Sequence, residues 1–330
     1  MTEIPPRRVV LIAKVLSRSL RRVVKERERA QDGFPPDAVH DLRVALRRVR
    51  SLAEDFSELD SDPEWRRLRK ACKQLQERMA GLRDIQVISD LAERLGLPDA
   101  GGTALGDLLE QEERRARRKA RGALNEFRKK RWKRWRQHLR ARTASLPFGD
   151  TQFAVLARRR LDDVDRLERR RRRGPSGVAY HRVRVALRRY RYTVEALLPD
   201  TPGTGGRGLI QLQRVLGEIH DLDVLRAKIQ QLGRRKMLPE ETCKARIASV
   251  DKARHARAVD YEQLSGRHGK SATGAHGRRQ HTWDVWRKTL EQIVSVSVRD
   301  FEEALSSKPR SASRTLARQN PDPGKPRPLS

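Results

Sequence analysis

The chain has 330 residues, more than the usual single domain of about 100 to 200, so two domains or two halves are expected. Apolar and charged residues each make up 36% and aromatics only 5%, a mixture that suits amphipathic helices and argues against sheets built from long Val/Ile runs. The 75 Lys and Arg against 43 Asp and Glu give a formal charge of +32, a self-repelling surface whose natural counterpart is a polyanion: nucleic acid, polyphosphate or an anionic membrane.

The opening MTEIPPRRVVLIAKVLSRSL returns to positive charge after a short apolar run with no small-residue cleavage site, and no stretch of about 20 apolar residues follows anywhere. A soluble cytoplasmic protein without membrane insertion is expected. The first basic helix-like stretch, Val9 to Ala30, ends at a turn marked by Gly33 and neighbouring prolines. Next comes His40-Asp-Leu-Arg-Val-Ala-Leu-Arg-Arg-Val-Arg50. On a wheel of about 100° per residue, His40, Arg43, Arg47 and Arg50 share a sector of roughly 80°, opposite Leu42, Ala45, Leu46, Val49, Ala53 and Phe56.

Breaks at Pro63, Gly96 to Gly102 and Pro147 lead to a second basic stretch, Phe153 to Arg173, and a turn at Gly174. The earlier segment then returns 141 residues on as His181-Arg-Val-Arg-Val-Ala-Leu-Arg-Arg-Tyr-Arg191, identical at eight of eleven positions. His181, Arg184, Arg188 and Arg191 therefore form the same stripe. Further on, Gln74-Leu-Gln76 with Asp84 and Val87 is echoed by Gln211-Leu-Gln213 with Asp221 and Val224, so each copy spans about half the chain. Helical spacing dominates, and the expected fold is all-α: two antiparallel bundles of about four main helices each, related by a pseudo-twofold, over about 7–146 and 152–305. A glycine-rich loop, Ser265 to Gln280, and a basic, Ser/Pro/Arg-rich tail, Ser306 to Ser330, are expected to be flexible and disordered.

Four like-charged groups along about 15 Å of helix repel one another at a few tenths of a kcal/mol per pair. An anion relieves that cost. Arginine offers a planar fork of five donors, and successive turns form a ladder matched to a linear chain of phosphates. Lysine or glutamate would solvate a helix face equally well, yet both copies keep histidine and arginine in one register.

These residues resemble the CHAD domain family, histidine-containing α-helical domains with H-x-x-R-x-x-x-[RK]-[RK]-x-R twice, each followed by a leucine-rich segment ending in R-D-x-D-V. The first motif is complete in both halves; the second reads Leu82-Arg-Asp84-Ile-Gln-Val87, with Gln86 for the acid, and Ile219-His-Asp221-Leu-Asp223-Val224, with His220 for the arginine. The resemblance spans roughly Arg7 to Leu305. It implies basic helix faces lining a central cavity that binds inorganic polyphosphate, at polyphosphate granules. By position, the binding set would be His40, Arg43, Arg47, Arg50, His181, Arg184, Arg188 and Arg191, joined by Lys14, Arg18 and Arg21 of the first helix and Arg158 and Arg159 of the second half's first helix.

Other signals are weaker. Glu26-Arg-Glu28-Arg-Ala30 lacks the lysine of the E-x-E-x-K strand found in a triphosphate tunnel enzyme, and Gly269-Lys270-Ser271 lacks the first glycine of a phosphate-binding loop. His268, His276 and His281 have no rigid element to orient them on a metal, and His138, His220 and His255 read as ordinary helix-surface residues. Cys72 and Cys243 have neither disulfide nor metal spacing. Trp132, Trp135, Trp283 and Trp286 make i,i+3 pairs that belong in bundle cores rather than on a base-stacking platform. A binding protein without cofactor, metal or catalytic residue is expected. The rival is a nonspecific nucleic-acid binder, which the charge supports but which lacks a readout module.

Overall fold

A computed structural model of the chain describes residues 7–97, 104–199, 201, 206–265, 286–293 and 295. The described residues are helical, in the order α1 (Arg7–Gln31), α2 (Pro36–Leu59), α3 (Pro63–Arg94), α4 (Ala104–Asn125), α5 (Lys129–Ala144), α6 (Asp150–Arg173), α7 (Gly177–Leu197), α8 (Gly206–Arg234) and α9 (Glu240–Leu264), with a further helical stretch at 286–293. No strand occurs among them. The His40 motif lies on α2 and the His181 motif on α7, each the second helix of its half. All of the Ser265 to Gln280 loop but its first residue, the tail from Ser306, and Trp283 fall outside the described residues.

The helix ends follow from local chemistry. Pro36 and Pro63 occupy first-turn positions, where a missing N–H costs nothing, and Asp62 accepts the Glu64 N–H at 2.9 Å to cap α3. Ser176 caps α7 by accepting from Ala179 N at 3.2 Å. Between α1 and α2 the chain reverses through Gly33 at φ 70° and Phe34 at φ 59°, left-handed backbone that Phe34 holds because its ring is buried. The turn is pinned from outside: Arg117 Nη1 donates to Gly33 O at 3.0 Å and Gln86 Nε2 to Phe34 O at 3.4 Å. In the second half Asp223 lies against the start of α7, where a Cβ on Gly177 would come within 2.7 Å of its Oδ2, and it pairs with Arg254 at 2.5 Å.

Successive helices pack on one another (α1 on α2, α2 on α3, α3 on α4, α6 on α7, α7 on α8, α8 on α9), while α5 returns to α1. Matching helices also meet across the halves, α2 on α7 and α3 on α8. Both apolar clusters draw on both halves. The larger joins Leu16, Leu42 and Leu46 to Phe153, Leu187 and Leu216, and the smaller joins Ile88 and Leu108 to Leu225, Ile229 and Val250. Trp132, Trp135 and Trp286 are buried, as i,i+3 aromatic pairs in a bundle should be. Cys72 is buried and Cys243 half-buried, and both are free thiols. No helix among the described residues is long and apolar enough to cross a membrane.

Candidate phosphate-binding clefts

The amphipathic wheel of α2 and α7 sets the site. Their apolar faces, including Leu42, Leu46 and Val49 on α2 and Val183, Leu187 and Tyr190 on α7, are buried, which leaves the arginine stripes half-buried where the two helices meet. Two clefts open beside that crossing. One, of about 480 Å³, is lined by Arg43, Arg47 and Arg50 of α2 together with His181, Arg188 and Arg189 of α7. The other, of about 370 Å³, is lined by Arg184, Arg188 and Arg191 of α7 together with His40, Arg47 and Arg48 of α2.

The arrangement is crosswise: each cleft combines one copy's arginine ladder with the other copy's histidine. Arg47, Arg188 and Tyr192 line both clefts and form their common wall. Every permanent cation in the two linings is an arginine, none a lysine. Reciprocal ion pairs close the seam, Arg189 to Glu54 and Arg48 Nη2 to Glu195 at 3.8 Å. The outer rungs are held by matching glutamines: Arg50 Nη1 donates to Gln76 Oε1 at 3.2 Å and Arg191 Nη1 to Gln213 Oε1 at 2.9 Å.

The inner rungs are not held. Arg47, Arg184 and Arg188 make no hydrogen bond or ion pair among the described residues, and Arg43 has only Asp84, at 3.6 Å. Buried donors without partners cluster here: Arg43 Nη1, Arg47 Nε and Gln76 Nε2. An unsatisfied buried donor costs about 1–3 kcal/mol, more when charged, so this wall is poised for acceptor oxygens from outside. Burial pushes Arg43 down to about 10; burial together with Arg47 and Arg184 pushes Arg188 down to about 9. Both remain cations at neutral pH.

The histidines are held neutral. Burial, then Arg83 and Arg47, lowers His40; burial, then Arg184 and Arg188, lowers His181. His220 belongs to the site and not to the open surface: its ring lies 4.8 Å from that of His181, and burial with Arg184 and His181 pushes it down to about 4. Beside it Asp221 is pushed up to about 6 by burial, against the pull of Arg184. A polyanion bound here would oppose that balance at His40 and His181 and raise both values, so its binding would take up protons. Affinity for a polyphosphate chain should therefore increase as pH falls from about 7 to about 5, by at most tenfold per pH unit for each proton taken up. The paired change His40→Gln with His181→Gln should flatten that slope in titrations at fixed salt; an unchanged slope would exclude these histidines as its source.

All eight motif residues thus come together around the crossing of α2 and α7. The five first-helix residues do not line either cleft. Lys14, Arg18, Arg21 and Arg159 are exposed, and Arg158 is engaged with Asp162 and Glu291. Helix α1 turns its apolar side towards α2 and α5, which sends its basic stripe outward. Arg48, Arg189, Gln76, Gln213 and Arg214 complete the linings without having been assigned to the site from the sequence, although the glutamines stand in the repeated Gln-Leu-Gln triplets, and His220, read from the sequence as a helix-surface residue, lies beside His181.

A model of the CHAD domain family matches residues 14–230. Among solved structures, the chain is similar to the crystal structure of the CHAD domain from the plant Ricinus communis, with TM-score 0.56 and 21% identity over 87% of this chain and 93% of that one. It is similar also to PptA from Streptomyces chartreusis, with TM-score 0.58 and 18% identity over 77% of this chain and 97% of that one. At these identities the two structures bear on the fold. No curated protein matches the sequence.

Proposed function

Because this chain belongs to the CHAD domain family, we propose that it binds inorganic polyphosphate in the two clefts beside the α2/α7 crossing, as a binding protein without catalysis, and that it does so at polyphosphate granules in the cytoplasm. One observation carries the reading: the inner arginines of two matching helices are half-buried around clefts of about 480 and 370 Å³, with Arg43 Nη1 and Arg47 Nε buried and without a hydrogen-bond partner among the described residues. A linear phosphate chain is thin and offers an acceptor at every unit to successive guanidinium forks. The two repeats act as one binding unit, since each cleft takes side chains from both.

Displacement tests the assignment. With labelled long-chain polyphosphate bound at physiological salt, unlabelled polyphosphate should displace it at a far lower phosphate concentration than DNA does. Equal displacement by DNA at matched phosphate would overturn the assignment, since simple counterion release treats the two alike.

A further inference from the structure

The basic residues that the clefts leave unused form a second surface. On α1, Lys14, Arg18, Arg21 and Lys25 follow one another at i, i+4, i+7 and i+11, and all four are exposed. On α5, Lys129, Lys133, Arg136 and Arg140 repeat that spacing, the first, second and last exposed and Arg136 half-buried. Each set occupies a sector of about 60° and a length of about 16 Å. The two helices pack together, and Lys129 Nζ meets Glu28 Oε1 at 2.5 Å, so the start of α5 lies one turn beyond Lys25. The stripes therefore run antiparallel, side by side.

Counter-charge is nearly absent. Helix α5 carries eight Lys and Arg residues and no acidic one. Besides Lys129 with Glu28, it pairs Arg142 with Asp60 and, when the imidazole is protonated, His138 with Asp62, while Arg131 lies over the Trp135 ring at 4.5 Å. Lys14, Arg18, Arg21, Lys25, Lys130, Lys133, Arg134, Arg136 and Arg140 make no ion pair among the described residues. The chemistry also differs from the clefts: here lysines stand among the arginines, nearly all on exposed stems.

We infer that this α1/α5 plate docks double-stranded nucleic acid through its phosphates, without reading sequence. Two cationic rows run along about 16 Å on helices whose axes, when packed, lie roughly 8–10 Å apart. A duplex presents about nine phosphates over that length, at one charge per ~1.7 Å. Its girth keeps it out of the clefts but not off a flat plate. Single strands are disfavoured, because Trp132 and Trp135 of α5 face the core and offer no platform for bases. Anionic lipid is disfavoured as well, because the apolar faces of both helices are buried and Leu11 is the single large apolar side chain left exposed on them among the described residues, too little to insert.

The test measures binding of a short labelled DNA duplex by anisotropy across a salt series, with long-chain polyphosphate and phosphatidylserine-containing vesicles as parallel arms. Two variants each neutralise one row: Lys14, Arg18, Arg21 and Lys25→Gln, and Lys129, Lys133, Arg136 and Arg140→Gln. Each should weaken duplex binding at least tenfold near 0.1 M salt and make the slope of log K against log salt shallower by about 0.9 for every phosphate that is no longer neutralised. Polyphosphate affinity should fall by less than about threefold, since none of the eight residues lines a cleft and exposed charges are screened by salt. Duplex binding at the wild-type level in both variants overturns the inference, as does loss of vesicle binding alone. Should polyphosphate fail to bind while duplex binding depends on the plate, the cleft assignment falls and the plate stands.

Discussion

Replacing Arg47 and Arg188 together by alanine is expected to lower affinity for long-chain polyphosphate by between about a hundredfold and ten-thousandfold, without destabilising the free protein. Each supplies charge-assisted hydrogen bonds worth roughly 1.5–3 kcal/mol, and 1.4 kcal/mol is a factor of ten. Both line both clefts, so no part of the site escapes the change. In the free protein neither has a hydrogen bond or ion pair among the described residues, Arg47 Nε is buried and unsatisfied, and Arg188 is crowded by Arg47 and Arg184. Their removal relieves repulsion, and the melting temperature should hold or rise. Titration calorimetry at fixed salt and a thermal melt decide the matter together. An affinity loss no larger than that from two exposed arginines, such as Arg66 and Arg67, would show that the common wall is not where the chain binds.

The largest stability effect is expected at Glu168. Its carboxylate is 1% exposed and holds Arg171, equally buried, through a bidentate pair at 2.8 Å, while also accepting from Tyr261 Oη at 3.0 Å and Arg172 Nε at 3.1 Å. Arg171 further pairs with Glu262 at 2.7 Å and donates to Tyr180 Oη at 3.1 Å. Burial alone would raise the Glu168 pKa, but its bonds from Arg171 and Arg172 hold it below the ordinary value. The stabilisation is therefore present at neutral pH and lost as pH falls through that lowered value. Glu168→Ala leaves a buried guanidinium without its main partner and should cost about 3–5 kcal/mol in denaturant unfolding. Glu168→Met with Arg171→Met should recover much of it. A loss below about 1 kcal/mol would mean that water reaches the cluster.

The motif helices were legible because their chemistry is local. Amphipathic spacing separates Leu42 and Leu46 from Arg43 and Arg47 on any helix, and a repeat with histidine and arginine in one register points to a shared task. Trp132, Trp135 and Trp286 read correctly as core for the same reason. What the sequence does not carry is which helix crosses which. His220 looks isolated along its own helix, and its neighbour, His181, comes from α7. The stripe on α1 has the same composition as a cleft wall, yet α1 spends its apolar side on α2 and α5, and Lys14, Arg18 and Arg21 end on the outer surface. Gln86 likewise gained a role only through a turn 52 residues away.

The shared wall has an evolutionary consequence. A duplicated segment usually drifts, because one copy keeps the task while the other is released from it. Here that release is closed off. Arg47 serves the cleft that its own copy builds and the one its sister builds, and so does Arg188, so a change in either is felt at both. Divergence is left to the periphery, where Glu77 beside one cleft stands against Arg214 beside the other. The inherited unit is the pair, and its two halves can become different only at their edges.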